Sequence, residues 1–235
     1  MKRLQSIDVF RGLDIILMIL FNYSVTLGFF NIINFPKNFL YSFVFPRTIA
    51  GIFIILSTIV AYASYISKKK GFTKRYLLRG SRLLVFAGLI TIFTYLFIPS
   101  GTVTFGILHF FAVTSFILPF IIKYKKMNLF LGILISVVGL YLQFQQFDSS
   151  YFFWLGFIPK NLFTLDYFPL LPWLGILMLG VYFSKQMIKK MYKIKFNNRL
   201  ADVLSFFGRN SLTIYLIHQP ILVIILFALG FRLVF

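Results

Sequence analysis

The sequence predicts an all-α membrane protein, a polytopic bundle of about seven transmembrane helices with a cytoplasmic N-terminus and an external C-terminus. Three observations predict it. Of the 235 residues, 60% are hydrophobic and 20% aromatic, whereas a soluble domain carries roughly 45–50% apolar residues. Charged residues make up only 12% and gather in clusters, leaving uncharged runs of about 20 residues, the length that crosses a bilayer. The basic clusters fall on alternate connections between those runs, as the positive-inside rule requires of a protein that threads the membrane repeatedly.

The runs place helices at about 9–30, 46–67, 82–98, 105–122, 128–146, 170–188 and 209–230. The first contains Arg11 and Asp14 and is followed by no small-residue cleavage site, so it reads as a retained helix and not as a removed leader. Pro46 and the pair Pro169 and Pro172 stand where the second and sixth helices begin, positions at which a missing backbone N–H costs nothing. No internal repeat or Gly/Ser linker interrupts the chain, which predicts a single domain, 1–235.

Lys and Arg number two before the first helix (Lys2, Arg3), seven from Lys68 to Arg82, three from Lys123 to Lys126 and seven from Lys185 to Arg209. The other side receives Lys37, Arg47, Lys160 and Arg232. That asymmetry predicts an odd number of crossings, with the large basic loops in the cytoplasm. The stretch 186–207 alternates Lys pairs with Met, Ile, Tyr, Leu and Phe, a pattern that suits either a helix lying on the anionic leaflet or a solvated basic loop.

A net charge of +19 with five Asp and no Glu resembles that of a nucleic-acid binder, but such proteins do not set their basic clusters between apolar spans; no nucleic acid is expected. Without cysteine there is no disulfide framework, thiolate nucleophile or Cys-based metal site. The two histidines cannot supply an ordinary metal ligand set without carboxylates, so no metal is expected. P-loop, GxGxxG and Ser-His-Asp patterns are missing, and the glycines stand mostly alone inside helices, where they permit close packing.

Ionisable side chains in hydrocarbon cost roughly 2.5–3.5 kcal/mol each and need a partner or a purpose. Asp8, Arg11 and Asp14 are three residues apart at the entrance to the first helix, a spacing that lets the arginine bridge both carboxylates or meet a phosphate. Asn22 lies about 18 Å beyond Phe10, near the membrane centre, and His218 falls at similar depth on the last helix, so the two could share one cavity. Pro220 cannot donate to the Leu216 carbonyl, which predicts a kink beside His218 and Gln219. His109 lies nearer the outer face, where simple packing accounts for it equally well.

Five blocks, SIDVFRGLDIILMILFN (6–22), FVFPRTIAGIFIILS (43–57), TFGILHFFAV (104–113), DYFPLLPWLGILMLG (166–180) and FFGRNSLTIYLIHQPIL (206–222), together resemble the catalytic membrane domain of the heparan-alpha-glucosaminide N-acetyltransferase family in its short prokaryotic form. The resemblance implies a multi-pass enzyme of the cytoplasmic membrane that moves an acetyl group from cytoplasmic acetyl-CoA to an amino-sugar or other glycan acceptor outside. It implies that Arg75, Arg79, Arg82 and Arg209 hold the CoA phosphates, that Asn22 orients the acyl carbonyl or acceptor, and that a neutral histidine, His218 or His109, acts as general base. Asp8, Arg11, Asp14, Arg47, Asp166 and Gln219 are the accompanying candidates for substrate binding. The family's lysosomal member carries its catalytic histidine in the loop after the first helix; residues 23–45 here contain none, which favours direct transfer over an acetyl-histidine intermediate. A permease for a small polar solute and a non-catalytic membrane scaffold are the competing readings, and a homodimer is left open.

Overall fold

A computed structural model describes residues 4–29, 32–33 and 38–231. The charges at Lys2, Arg3, Lys37 and Arg232 lie outside the described residues. Among the described residues eight α-helices run in the order α1 (Gln5–Phe29), α2 (Phe45–Ser67), α3 (Phe72–Phe97), α4 (Ile107–Ile121), α5 (Lys125–Leu142), α6 (Leu170–Lys193), α7 (Arg199–Arg209) and α8 (Ser211–Ala228). Among the described residues there is no strand, only isolated bridges at Phe105 with Tyr167 and Phe147 with Pro159. Six helices are long and apolar enough to cross a membrane, and α4, at 15 residues, is a shorter apolar helix beside them. The chain is an all-helical integral membrane protein, in keeping with the expectation of about seven spans.

The largest departures from the expected limits, at α3 and at α7, share one reason. Hydropathy ends at a charge, but a helix does not. Helix α3 starts ten residues before the expected 82 and carries Lys74, Arg75, Arg79 and Arg82 in its first turns, since Lys and Arg are good helix formers whose long side chains lie along the surface. The expected helix at 209–230 is preceded by a separate amphipathic helix, α7, whose N-cap Asn198 accepts a hydrogen bond from Ala201 N at 2.8 Å. At α2 a π-helical turn, Leu40–Val44, precedes the expected start. Helix α6 is extended at Leu171, ahead of a cis Leu171–Pro172 bond.

The chain forms two compact units, Met1–Ser57 with Gln186–Phe235, and Thr58–Lys185. In the first, α1 is held against α7 by backbone contact. A Cβ placed on Gly12 would fall onto the Leu204 carbonyl, and one on Gly208 would fall onto the Asp8 carbonyl. Helix α1 also packs on α8.

The second unit is bound by small residues too. A Cβ on Gly175 would meet Gly132 O at 2.6 Å, and one on Gly139 would meet Pro172 N at 2.6 Å, so α5 and α6 meet along a glycine seam of the kind that lets membrane helices gain van der Waals contact. Asn128, fully buried, donates to the Ile121 carbonyl at 2.8 Å and ties α5 to the end of α4. Before the N-terminus of α4, Phe168 N donates to Phe105 O at 2.9 Å and Leu165 N to Gly101 O at 3.1 Å. Tyr167 donates to the Phe153 carbonyl at 2.7 Å; burial pushes its phenol well above the ordinary range, which keeps it a donor.

Candidate functional site

The first unit brings polar side chains of α1 and α8 into a seam. Asn22 Nδ2 lies 3.2 Å from His218 Nε2. His218 Nδ1 is 2.7 Å from the Tyr215 carbonyl, and a carbonyl only accepts, so Nδ1 carries the proton and Nε2 presents its lone pair to the Asn22 amide. Tyr23 donates from Oη to the His218 carbonyl at 3.2 Å, and its ring lies 6.1 Å from the imidazole in a stacked orientation. Thr26 Oγ1 is 2.9 Å from the Asn22 carbonyl and 3.1 Å from Gln219 Oε1. His218 is 5% exposed, so this contact is shielded from solvent.

The residue types explain why the seam forms. Residues 11 and 22 are eleven apart and return to nearly the same side of a helix with 3.6 residues per turn. Arg11 and Asn22 therefore both face α8, Arg11 donating to Ser211 Oγ at 2.6 Å. Pairings advance in the same sense along both helices, Arg11 with Ser211 and then Asn22 with His218, so α1 and α8 run parallel. Helix α8 continues unbroken through Pro220.

Arg11 and Asp14 interact as charges, but no hydrogen bond joins them. The Arg11 guanidinium turns to Ser211 and stands 5.6 Å over the Phe53 ring, while neither carboxylate oxygen of Asp14 has a hydrogen-bond partner, although the residue is only 3% exposed. Residues 11 and 14 diverge by about 60° around a helix, and Arg11 follows the side that faces α8. Asp8 is also buried. Arg47 lies with Cζ 3.5 Å from the Phe43 ring centre and donates to the Phe43 carbonyl at 3.2 Å. Arg209, exposed at the end of α7, donates from Nε to Ser205 O at 3.2 Å.

The other candidates belong to the second unit. Asp166 Oδ2 accepts from Ile107 N at 2.9 Å, capping α4. His109 Nδ1 accepts from Gly106 N at 3.3 Å, and its Nε2 lies 3.3 Å from Thr91 Oγ1. Thr91 spends its single proton on the Val103 carbonyl at 2.6 Å, so Nε2 is the protonated nitrogen of His109. Arg75 donates to the Lys68 and Lys70 carbonyls at 2.6 and 3.2 Å and closes the turn after α2. Arg79 lies against Tyr76, Cζ 5.4 Å from the ring centre. Arg82 is exposed on the same face of α3.

Tyr23, Thr26, Ser211 and the Tyr215 carbonyl join the seam without having been singled out in the sequence. Thr26 stands four residues after Asn22, a helical neighbour, and that spacing was the one available signal. The others are partners only because α8 lies beside α1.

A family model described as heparan-alpha-glucosaminide N-acetyltransferase, catalytic, matches residues 3–220. No curated protein and no solved structure matches the chain. The matched span contains the whole α1–α8 seam as far as Pro220.

Proposed function

We propose, from the premise that the chain belongs to the heparan-alpha-glucosaminide N-acetyltransferase catalytic family, that it moves an acetyl group from cytoplasmic acetyl-CoA to an amino-sugar or other glycan acceptor on the far side of the cytoplasmic membrane. The family is one of transmembrane acetyltransferases; donor, acceptor and sidedness are our reading. The single observation that carries it is the Asn22 and His218 pair, in which the imidazole is buried and oriented by the Tyr215 carbonyl.

In this reading His218 Nε2 is the general base. The acceptor amine attacks the thioester carbonyl and the C–N bond forms. Nε2 takes the amine proton, the C–S bond breaks, and the proton passes to the leaving thiolate. The Asn22 amide, which holds the Nε2 lone pair in the resting state, turns to the acyl carbonyl oxygen when the acceptor takes its place. A base so positioned contributes about 10²–10⁴-fold, and an amide aimed at the developing oxyanion adds a comparable factor. Direct transfer fits the absence of histidine from residues 23–45.

Arg79 and Arg82 are proposed to meet the CoA phosphates, with Arg75 setting the turn beside them; Arg209 is the corresponding candidate of the first unit. Asp8, Arg11 and Asp14 would line the donor's approach along α1, where the Asp14 carboxylate, buried and without a hydrogen bond, would accept from the donor's amide or hydroxyl groups. Arg47 and Gln219 are proposed on the acceptor side. Parallel α1 and α8 support an odd number of crossings and hence opposite compartments for donor and acceptor.

Calorimetry with acetyl-CoA on the purified protein tests the donor, and a complete lack of binding at millimolar ligand defeats the reading. His218→Ala and Asn22→Ala are each expected to lower acetyl transfer at least about 10²-fold while retaining the wild-type melting profile. Uptake of a polar solute into proteoliposomes without CoA would favour a permease instead.

A further inference from the structure

The outward face of helix α7 from Leu200 to Phe206 and the segment before it form a surface that the proposed reaction does not use. The segment is pinned from within: Ser6 Oγ donates to the Met191 carbonyl at 2.8 Å, Phe10 meets Phe196 edge-on at 6.2 Å, and Ile188 is 5% exposed. Its lysines, Lys189, Lys190, Lys193 and Lys195, all point outward and are exposed.

Helix α7 then sets Ala201, Ser205 and Gly208 against its own unit and turns Leu200, Val203 and Phe206 out, at 66%, 51% and 57% exposure. Those three recur at i, i+3 and i+6 and make one apolar stripe about 9 Å long on an 11-residue helix. A solvated loop has no reason to fold an apolar stripe outward on a backbone held by glycine contacts and an Asn198 cap. Basic side chains beside an outward apolar stripe are complementary to one surface, the headgroup region of an anionic leaflet. Asp202 is the one acidic residue between Lys189 and Arg209, and it accepts from Gln5 Nε2 at 3.3 Å.

We infer that α7 is an interfacial helix that binds anionic lipid, with Leu200, Val203 and Phe206 sunk among the acyl chains and Lys189, Lys190, Lys193 and Lys195 on the lipid phosphates. Because Gly12 and Gly208 put α7 in backbone contact with α1, the lipid is in a position to stiffen the helix that carries Asn22. The inference does not depend on the acetyl-transfer reading.

The chain lacks cysteine, so single cysteines can be spin-labelled in the full-length protein reconstituted in vesicles with and without phosphatidylglycerol. Labels at Leu200→Cys, Val203→Cys and Phe206→Cys should respond to oxygen over a water-soluble nickel relaxant, and Asp202→Cys the reverse. Equal accessibility at all four positions would overturn the proposal.

In detergent, phosphatidylglycerol retained in native mass spectra should weaken about fivefold for each lysine changed to glutamine, reaching on the order of 100-fold for Lys189→Gln, Lys190→Gln and Lys193→Gln together. Unchanged retention in that triple variant, or displacement of the lipid by added CoA, would also overturn it, the latter by assigning the lysines to a soluble phosphate ligand.

Discussion

In the α1–α8 seam, His218 donates through Nδ1 to the Tyr215 carbonyl and leaves the Nε2 lone pair facing a side-chain amide. At the head of α4, His109 accepts at Nδ1 from the Gly106 backbone and carries its proton on Nε2 toward Thr91. The two imidazoles are opposite tautomers in different units. What separates them is the partner of the lone pair. A backbone N–H at a helix end has nowhere else to turn, so His109 is committed to the fold. The Asn22 amide is a side chain, and in the proposed reaction His218 exchanges it for the acceptor.

The sharpest way to break this comparison is to delete each ring. His218→Ala is expected to lower acetyl transfer about 10²–10⁴-fold with the melting midpoint nearly intact. His109→Ala should leave the turnover within a few fold. The opposite outcome would move the base to the second unit. Histidine 15N NMR of the wild type reads the same contrast directly, as a protonated Nδ1 for one residue and a protonated Nε2 for the other.

Next in size is the support beneath the seam. Gly12→Ala or Gly208→Ala drives a methyl into the facing carbonyl, an overpacking cost of about 1–3 kcal/mol. Reduced thermal stability in detergent, together with reduced turnover, would tie α7 to the placement of Asn22. Loss of stability alone would uncouple them.

The α4 cap is smaller. Asp166→Ala should cost about 1 kcal/mol of stability, and Asp166→Asn much less because its oxygen still accepts, both with acetyl transfer retained at folded temperatures. An acceptor-dependent rise in KM for Asp166→Asn would instead make the carboxylate a binding group.

Smallest is Thr26→Val, which removes an interhelical hydrogen bond worth about 0.6 kcal/mol. A turnover loss well beyond that stability change would place Gln219 in the chemistry.

Much of the fold was legible because lipid imposes a local rule. Each span must be long, apolar and self-satisfied in its hydrogen bonds, so residues 46–67 or 170–188 announce themselves with no knowledge of their neighbours. Helix α3 was misjudged at its start because Lys74 to Arg82 end the hydropathy but keep the helical turn. Helix α7 was read only as one of two options, since an 11-residue amphipathic segment does not differ by composition from a basic loop.

By itself the sequence determined that this chain lives in a membrane, roughly where it crosses, and which few polar groups needed an explanation, because burying a charge or an amide in hydrocarbon is costly wherever the other helices lie. Only the tertiary structure decided the partners. Arg11 gave its hydrogen bond to Ser211, Asn22 met the Nε2 of His218, and the two histidines took opposite tautomers. Hydrogen bonds act over about 3 Å, and which atoms come within that range depends on how helices nearly 200 residues apart in the chain are laid side by side.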